Sequence, residues 1–149
     1  MLKPAVDLTR TRIILLATLF IMSTGNLELF ERLLEIYPPT LSNLPFLTSL
    51  ALFFSFATAL FLVLITPGSA GRWVLASILV LSSQAAYYMD QYGVVIDGVM
   101  IDNILATNVQ EAKGLMSWNL LLRTVFLGLL PAWLLVRHWP KKVPIAGVV

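Results

Sequence analysis

Three polar residues spaced four apart along the chain are the first candidates for chemistry: Asn103, Thr107 and Glu111. On a continuous helix, positions i, i+4 and i+8 lie on one face, so an amide, a hydroxyl and a carboxylate would form a single stripe. These groups can hydrogen-bond a lipid headgroup, and the carboxylate can pair with an ammonium group. The alternative is the ordinary solvated face of an amphipathic helix.

A fourth candidate is Arg123, the one charged residue in an apolar stretch from about Ser117 to Val136. A charge inside a membrane segment is costly and is usually functional. Its long side chain can reach outward to a lipid phosphate, or it can pair with an outer carboxylate such as Glu111. The alternative is that Arg123 extends to the membrane surface and binds no ligand.

The residue types exclude several kinds of site. The chain has no Cys and one His, which excludes a disulfide framework, a zinc–cysteine site and an Fe–S cluster. A net charge of +2 gives no reason to expect nucleic acid as a partner. Asp90, Asp97 and Asp102 are spaced in a way that favours helix capping and solvation over cation binding. The sequence therefore yields no catalytic residue and no metal ligand.

The composition predicts the elements that must position these residues. Hydrophobic residues make up 58% of the 149 residues and charged residues only 12%, about half the charge of a soluble domain. A membrane-spanning helix needs about 20 apolar residues. Four segments meet that length, at about 13–35, 44–66, 73–89 and 117–137. The sequence therefore predicts an all-α, polytopic membrane helical bundle forming a single domain over residues 1–149.

Charge and periodicity predict the topology of this bundle. Lys and Arg collect before span 1, between spans 2 and 3 and after span 4, whereas seven of the eight acids lie toward the opposite side. Basic loops mark the cytoplasm, so both chain ends are expected there and the loop 90–116 on the periplasmic side. Apolar residues recur at helical spacing over about 97–114, which predicts an amphipathic interfacial helix, or two if the chain breaks near Thr107.

The loop also carries a family resemblance. The run YYMDQYGVVID at 87–97, followed by MIDNILATN at 100–108 and by Glu111-Ala112, resembles the membrane domain of bacterial phosphoethanolamine transferases that modify lipid A and lipopolysaccharide core. This family includes the mobile colistin-resistance enzymes. The run LGLLP at 127–131 and Gly25-Asn26-Leu27 are similar to the family as well, so the resemblance covers nearly the whole chain.

The resemblance implies a function and a location. In the family, a periplasmic domain uses a zinc-activated Thr to take phosphoethanolamine from phosphatidylethanolamine and pass it to lipid A or lipopolysaccharide. Its membrane domain, in the bacterial inner membrane, anchors the enzyme and helps to bind the donor lipid. The family positions that line the donor site match Asn103, Thr107 and Glu111. Glu111 would then face the ethanolamine ammonium, while Asn103 and Thr107 would donate to phosphate oxygens.

The chain also departs from the family pattern. The family has a fifth span and then the catalytic domain, and neither the zinc ligands nor the Thr nucleophile have counterparts here. We therefore expect that this chain alone does not transfer phosphoethanolamine and holds no cofactor itself. The alternative is a non-enzymatic four-helix membrane protein, such as an assembly subunit, a channel or a small transporter.

Overall fold

The computed structural model describes residues 8–68, 70–93 and 117–140, with side chains from Arg10 onward. Within these ranges the chain forms five helices and no strand, which confirms the predicted all-helical class. The helices are α1 (Leu8–Thr24), α2 (Leu27–Ile36), α3 (Leu44–Ile65), α4 (Gly71–Tyr92) and α5 (Trp118–His138). The interfacial helix predicted over about 97–114 lies outside the described residues.

Two of these helices, α3 and α5, are long and apolar enough to cross a membrane. A third span exists if α1 and α2 are counted together as one bent helix. Helix α4 also has 22 residues, but Ser82, Ser83 and Gln84 in its middle lower its mean hydropathy. The protein is therefore membrane-embedded and helical, while the count of four spans stays a prediction.

The segment predicted as one span over about 13–35 consists of two helices. They meet at an angle of 57° with a break at Gly25 and Asn26. The Asn26 side-chain amide donates to the carbonyl of Ile21 at 3.1 Å, beside the Gly25 backbone amide, which donates to the same oxygen at 2.8 Å. An Asn side chain that competes for backbone carbonyls ends a helix, and the chain then restarts as α2 in a new direction.

Helix α4 is the centre of the bundle, because it contacts each of the other four helices. Its apolar face enters the core through Leu75, Ala76 and Leu79, of which Leu75 is fully buried. Helix α3 is the opposite case: it is an almost entirely apolar helix with only Leu62 buried. A helix that is hydrophobic on all sides and still exposed within its own chain faces lipid or another apolar partner.

The two ends of the bundle differ in charge. At one end, here called the basic end, α1 and α4 begin while α3 and α5 finish; the Arg residues described there are Arg10, Arg12, Arg72 and Arg137. At the other end, called the acidic end, α4 finishes and α5 begins. All four acidic residues in the described part of the chain lie there, and they are Glu28, Glu31, Glu35 and Asp90.

Arg10 closes the basic end of the core. Its guanidinium Nη2 donates to the carbonyl of Thr66 at 2.7 Å and to that of Val63 at 3.4 Å. These carbonyls belong to the last turn of α3 and the residue after it, where the helix has no further amide to offer. A positive charge is also favourable at a helix C-terminus. Arg10 thereby fixes the start of α1 against the end of α3.

The tightest packing between α4 and α5 occurs at Gly128. A Cβ atom built on Gly128 would lie 2.6 Å from the Ser83 Oγ and 3.3 Å from the Val80 Cα. Gly128 belongs to a π-helical turn, Thr124–Leu129, in the middle of α5. In this turn the backbone amide of Leu130 donates to the carbonyl five residues back. Small residues let membrane helices approach closely, and van der Waals packing then holds the helices together.

We expect Gly128→Ala to lower the free energy of unfolding by about 1–3 kcal/mol, because the added methyl group overpacks this contact. Replacing Ser83 by Ala as well removes the clashing Oγ. In that background Gly128→Ala is expected to be close to neutral, because Ala is the better helix former. Thermal unfolding in detergent, followed by circular dichroism, measures both effects.

Ala57→Val on the exposed face of α3 is the control for added volume, and we expect it to leave the melting temperature unchanged. An equal loss from Gly128→Ala with and without Ser83→Ala would contradict the proposed clash.

Candidate functional site at the acidic end

The acidic end contains an ion pair between α4 and α5. The Arg123 Nη2 lies 2.5 Å from the Asp90 Oδ2, and the two side chains are only 28% and 27% exposed. Arg123 Nη1 also donates to the backbone carbonyl of Ala86 at 3.4 Å. The carboxylate that pairs with Arg123 is thus at the end of α4. This pair gives the charge inside α5 a partner, which a charged group in a low-dielectric environment needs.

A cleft of about 510 Å³ opens beside this pair. Its polar lining comes from both helices, with Tyr87, Asp90 and Gln91 from α4 and Asn119 and Arg123 from α5. Its apolar lining comes from α5 and consists of Leu122, Phe126 and Leu127. A concave site lined by charged, amide and apolar side chains fits a ligand that has both characters.

Hydrogen bonds hold the helix ends around the cleft in place. Gln84 Nε2 donates to the hydroxyl of Thr124, and the Tyr87 hydroxyl lies 2.5 Å from the Ser117 Oγ. Ser117 also caps α5, because its Oγ accepts from the backbone amide of Leu120 at 3.1 Å. Two side-chain hydrogen bonds, Gln84–Thr124 and Tyr87–Ser117, therefore join α4 to α5 beside the cleft.

The sequence analysis missed Arg32, which connects α2 to the end of α4. Its Nε donates to Glu28 Oε1 at 2.9 Å and its Nη2 to the carbonyl of Gly93 at 2.5 Å. Gly93 has φ = 60°, the left-handed conformation with which α4 ends. The opposite charges of Glu28 and Arg32, four residues apart, could have predicted their ion pair on α2. Nothing in the sequence predicts the hydrogen bond from Arg32 to Gly93.

Of the predicted site residues, Arg123 is at the acidic end and lines the cleft. Asn103, Thr107 and Glu111 lie outside the described residues, so their stripe stays a prediction. The chain leaves α4 at Gly93 and enters α5 at Ser117, both at this same end. The loop that carries the three residues therefore starts and finishes beside the cleft.

Zinc is the metal that the family resemblance implies for a catalytic domain. Metal sites of that kind use His, Cys and carboxylates in close groups. In the described ranges there is no group of three or more such residues that could hold a metal ion.

The fold is that of a helical membrane domain with a cleft at its acidic end. Comparison with known proteins identifies the family. The model of the family "Phosphoethanolamine transferase EptA/EptB" matches residues 53–146, so the chain belongs to this family, as the resemblance predicted. No solved structure gives a significant match to this chain.

Curated relatives agree with this assignment. The chain is 34% identical to phosphatidylethanolamine transferase Mcr-2 of Escherichia coli over 117 residues, which cover 78% of this chain and 22% of the relative. Mcr-1 of Escherichia coli is 33% identical, with 77% and 21% covered. Phosphoethanolamine transferase EptA of Escherichia coli strain K12 is 33% identical, with 88% and 24% covered. The chain thus matches less than a quarter of each of these relatives.

We expect the ion pair to behave as a unit in stability measurements. Arg123→Gln leaves Asp90 half-buried without its partner, so the free energy of unfolding should fall by roughly 1–3 kcal/mol. The double variant Asp90→Asn, Arg123→Gln should lose less than either single variant, because no charge is left unpaired. Thermal unfolding of all three variants in the same detergent measures the difference.

Glu35→Gln supplies the control, since its contact with Arg32 at 3.5 Å is exposed. An exposed pair of this kind contributes less than about 1 kcal/mol. If the double variant lost as much stability as the two single variants together, Asp90 and Arg123 would not be energetically coupled.

Proposed function

We propose that this chain is the membrane domain of a phosphoethanolamine transferase and that it binds the headgroup of the donor, phosphatidylethanolamine, at the acidic end. The observation that carries the proposal is the Asp90–Arg123 pair on the wall of a cleft, in a chain that belongs to this family. The names of Mcr-1 and Mcr-2 give phosphatidylethanolamine as the lipid on which those relatives act.

The chemistry of the pair suits a zwitterionic headgroup. Arg123 uses one terminal nitrogen for Asp90 and the other for the carbonyl of Ala86. A guanidinium has five N–H groups, so donors remain for a phosphate oxygen. Asp90 makes the pair neutral overall, so the cleft does not favour a lipid with a net negative charge. The apolar wall from α5 would lie along the start of an acyl chain.

The stripe of Asn103, Thr107 and Glu111 completes this proposal. Glu111 would accept from the ethanolamine ammonium, and Asn103 and Thr107 would donate to phosphate oxygens. The loop that contains them joins α4 to α5 at the acidic end, where Arg123 lies. Two sets of residues would thus bind the two charged parts of one headgroup.

The same proposal includes the topology. A 22-residue helix is roughly 33 Å long, enough for α4 to cross the membrane beside α3 and α5. Four spans in the bacterial inner membrane place the basic end in the cytoplasm and the acidic end in the periplasm. The acceptor would be a lipid A phosphate or the lipopolysaccharide core, and the outcome would be polymyxin resistance. The transfer step belongs to the zinc-dependent domain of the family.

Donor binding is tested by native mass spectrometry of the purified protein with equimolar phosphatidylethanolamine and phosphatidylglycerol. We expect Arg123→Gln and Glu111→Ala each to lower the retained phosphatidylethanolamine about tenfold, the loss of one charge-assisted hydrogen bond. Glu31→Gln, an exposed residue at the same end, should leave it unchanged. Circular dichroism establishes that each variant is folded.

Retention of phosphatidylethanolamine at wild-type levels in both variants would contradict the donor site. A loss in Glu31→Gln as large as that in Arg123→Gln would contradict it too, because the lipid would then respond to charge at this end and not to the cleft.

A further inference from the structure

A second groove lies between α4 and α5 at the basic end, far along both helices from the cleft at the acidic end. It has a volume of about 700 Å³, within the roughly 300–1,000 Å³ typical of ligand sites. Its walls are almost entirely apolar and include Trp73 from α4 and Trp133 from α5. Both Trp rings are more than half exposed, although they belong to a membrane-embedded bundle. Trp residues of this kind mark the membrane–water interface.

Each of these Trp rings makes a cation–π contact with the arginine next to it or four residues after it. The guanidinium carbon of Arg72 lies 5.4 Å from the Trp73 ring centroid, and that of Arg137 lies 5.2 Å from the Trp133 ring centroid. A guanidinium stacked on a ring uses its face for the cation–π contact and keeps the N–H groups at its edge available. The contact with the ring therefore positions each arginine and does not use its N–H groups.

No carboxylate in the described part of the chain compensates these two charges. Neither Arg72 nor Arg137 forms an ion pair with any residue in the described part of the chain. The Arg72 Nε is buried and, within the same ranges, has no hydrogen-bond partner. The four N–H groups on the terminal nitrogens of a guanidinium are therefore those from which an external phosphate can accept. The apolar groove thus lies beside two cations that have no carboxylate partner in the described ranges.

We propose that this groove binds an anionic glycerophospholipid. Its phosphate would accept from Arg72 and Arg137, and an acyl chain would lie between Trp73 and Trp133 along α4 and α5. Basic pockets between membrane helices bind anionic headgroups in this way. The contrast with the acidic end supports the choice of lipid: Arg123 is neutralised by Asp90, whereas Arg72 and Arg137 pair with none of the acidic residues that the structure describes.

Native mass spectrometry with equimolar phosphatidylglycerol and phosphatidylethanolamine tests the site. We expect one phosphatidylglycerol to remain bound, and Arg72→Gln and Arg137→Gln each to lower its retention about fivefold. Arg12→Gln is the matched control, since it removes one exposed charge from the same end without touching the groove. It should change retention less than twofold. An Arg12→Gln loss equal to that of Arg137→Gln would overturn the site.

Fluorescence quenching locates the lipid. Phosphatidylglycerol with brominated acyl chains should quench Trp fluorescence more strongly than brominated phosphatidylcholine with the same chains. The excess should disappear in Arg72→Gln and in the double variant Trp73→Phe, Trp133→Phe. Equal quenching by the two lipids in the wild type would overturn the inference, as would an excess that survives in the double Trp variant.

This inference rests on the membrane embedding of the chain and not on the donor site. The two tests use the same lipid mixture but different variants, and each follows the retention of a different lipid. Loss of phosphatidylglycerol retention in Arg72→Gln with phosphatidylethanolamine unaffected supports the groove alone, and loss of phosphatidylethanolamine in Arg123→Gln supports the cleft alone.

Discussion

The close contact between α4 and α5 is the constraint on which the rest of the structure depends. Where Gly128 faces Ser83, the two helices come near enough that a methyl group on Gly128 would lie 2.6 Å from the Ser83 Oγ. Lipid offers no hydrophobic driving force between helices, so such packing must supply the attraction. Because α4 also contacts α1, α2 and α3, this contact sets the position of the whole bundle. The cleft and the groove are the spaces that remain between α4 and α5 on either side of it.

Polar residues in the bundle follow from the same environment. In a membrane each polar group needs a partner within the protein. The hydroxyls of Thr18, Thr24 and Thr66 donate to carbonyls of their own helices, four residues back. Gln84 reaches across to Thr124 and ties α4 to α5. Exceptions lie at the basic end, where the Nε of Arg72 and the Nε1 of Trp139 are buried and have no hydrogen-bond partner in the described ranges.

Much of the fold follows from local sequence, while the site depends on distant contacts. Apolar composition and the lengths of the apolar segments are local features, and they were enough to predict an all-helical membrane protein. The bend at Asn26 was not predicted, because it depends on whether one side-chain amide outcompetes the backbone for the Ile21 carbonyl. The ion-pair partner of Arg123 could not be predicted either, because seven acidic residues were expected on the same side of the membrane. Only the packing of α4 on α5 selects Asp90, 33 residues earlier in the chain.

The family resemblance and the structure inform different parts of the molecule. The donor-site residues that the resemblance implies, Asn103, Thr107 and Glu111, lie in the loop, whereas the structure describes the helices that this loop joins. At the acidic end these helices carry an arginine neutralised by Asp90, and at the basic end they carry two arginines without an ion-pair partner in the described ranges. A neutral pair discriminates by headgroup shape and hydrogen bonding, while unpaired cations discriminate by net charge. One bundle can therefore hold two lipids of different charge at its two ends, so that recognising the donor and anchoring in an anionic membrane need not compete for the same residues.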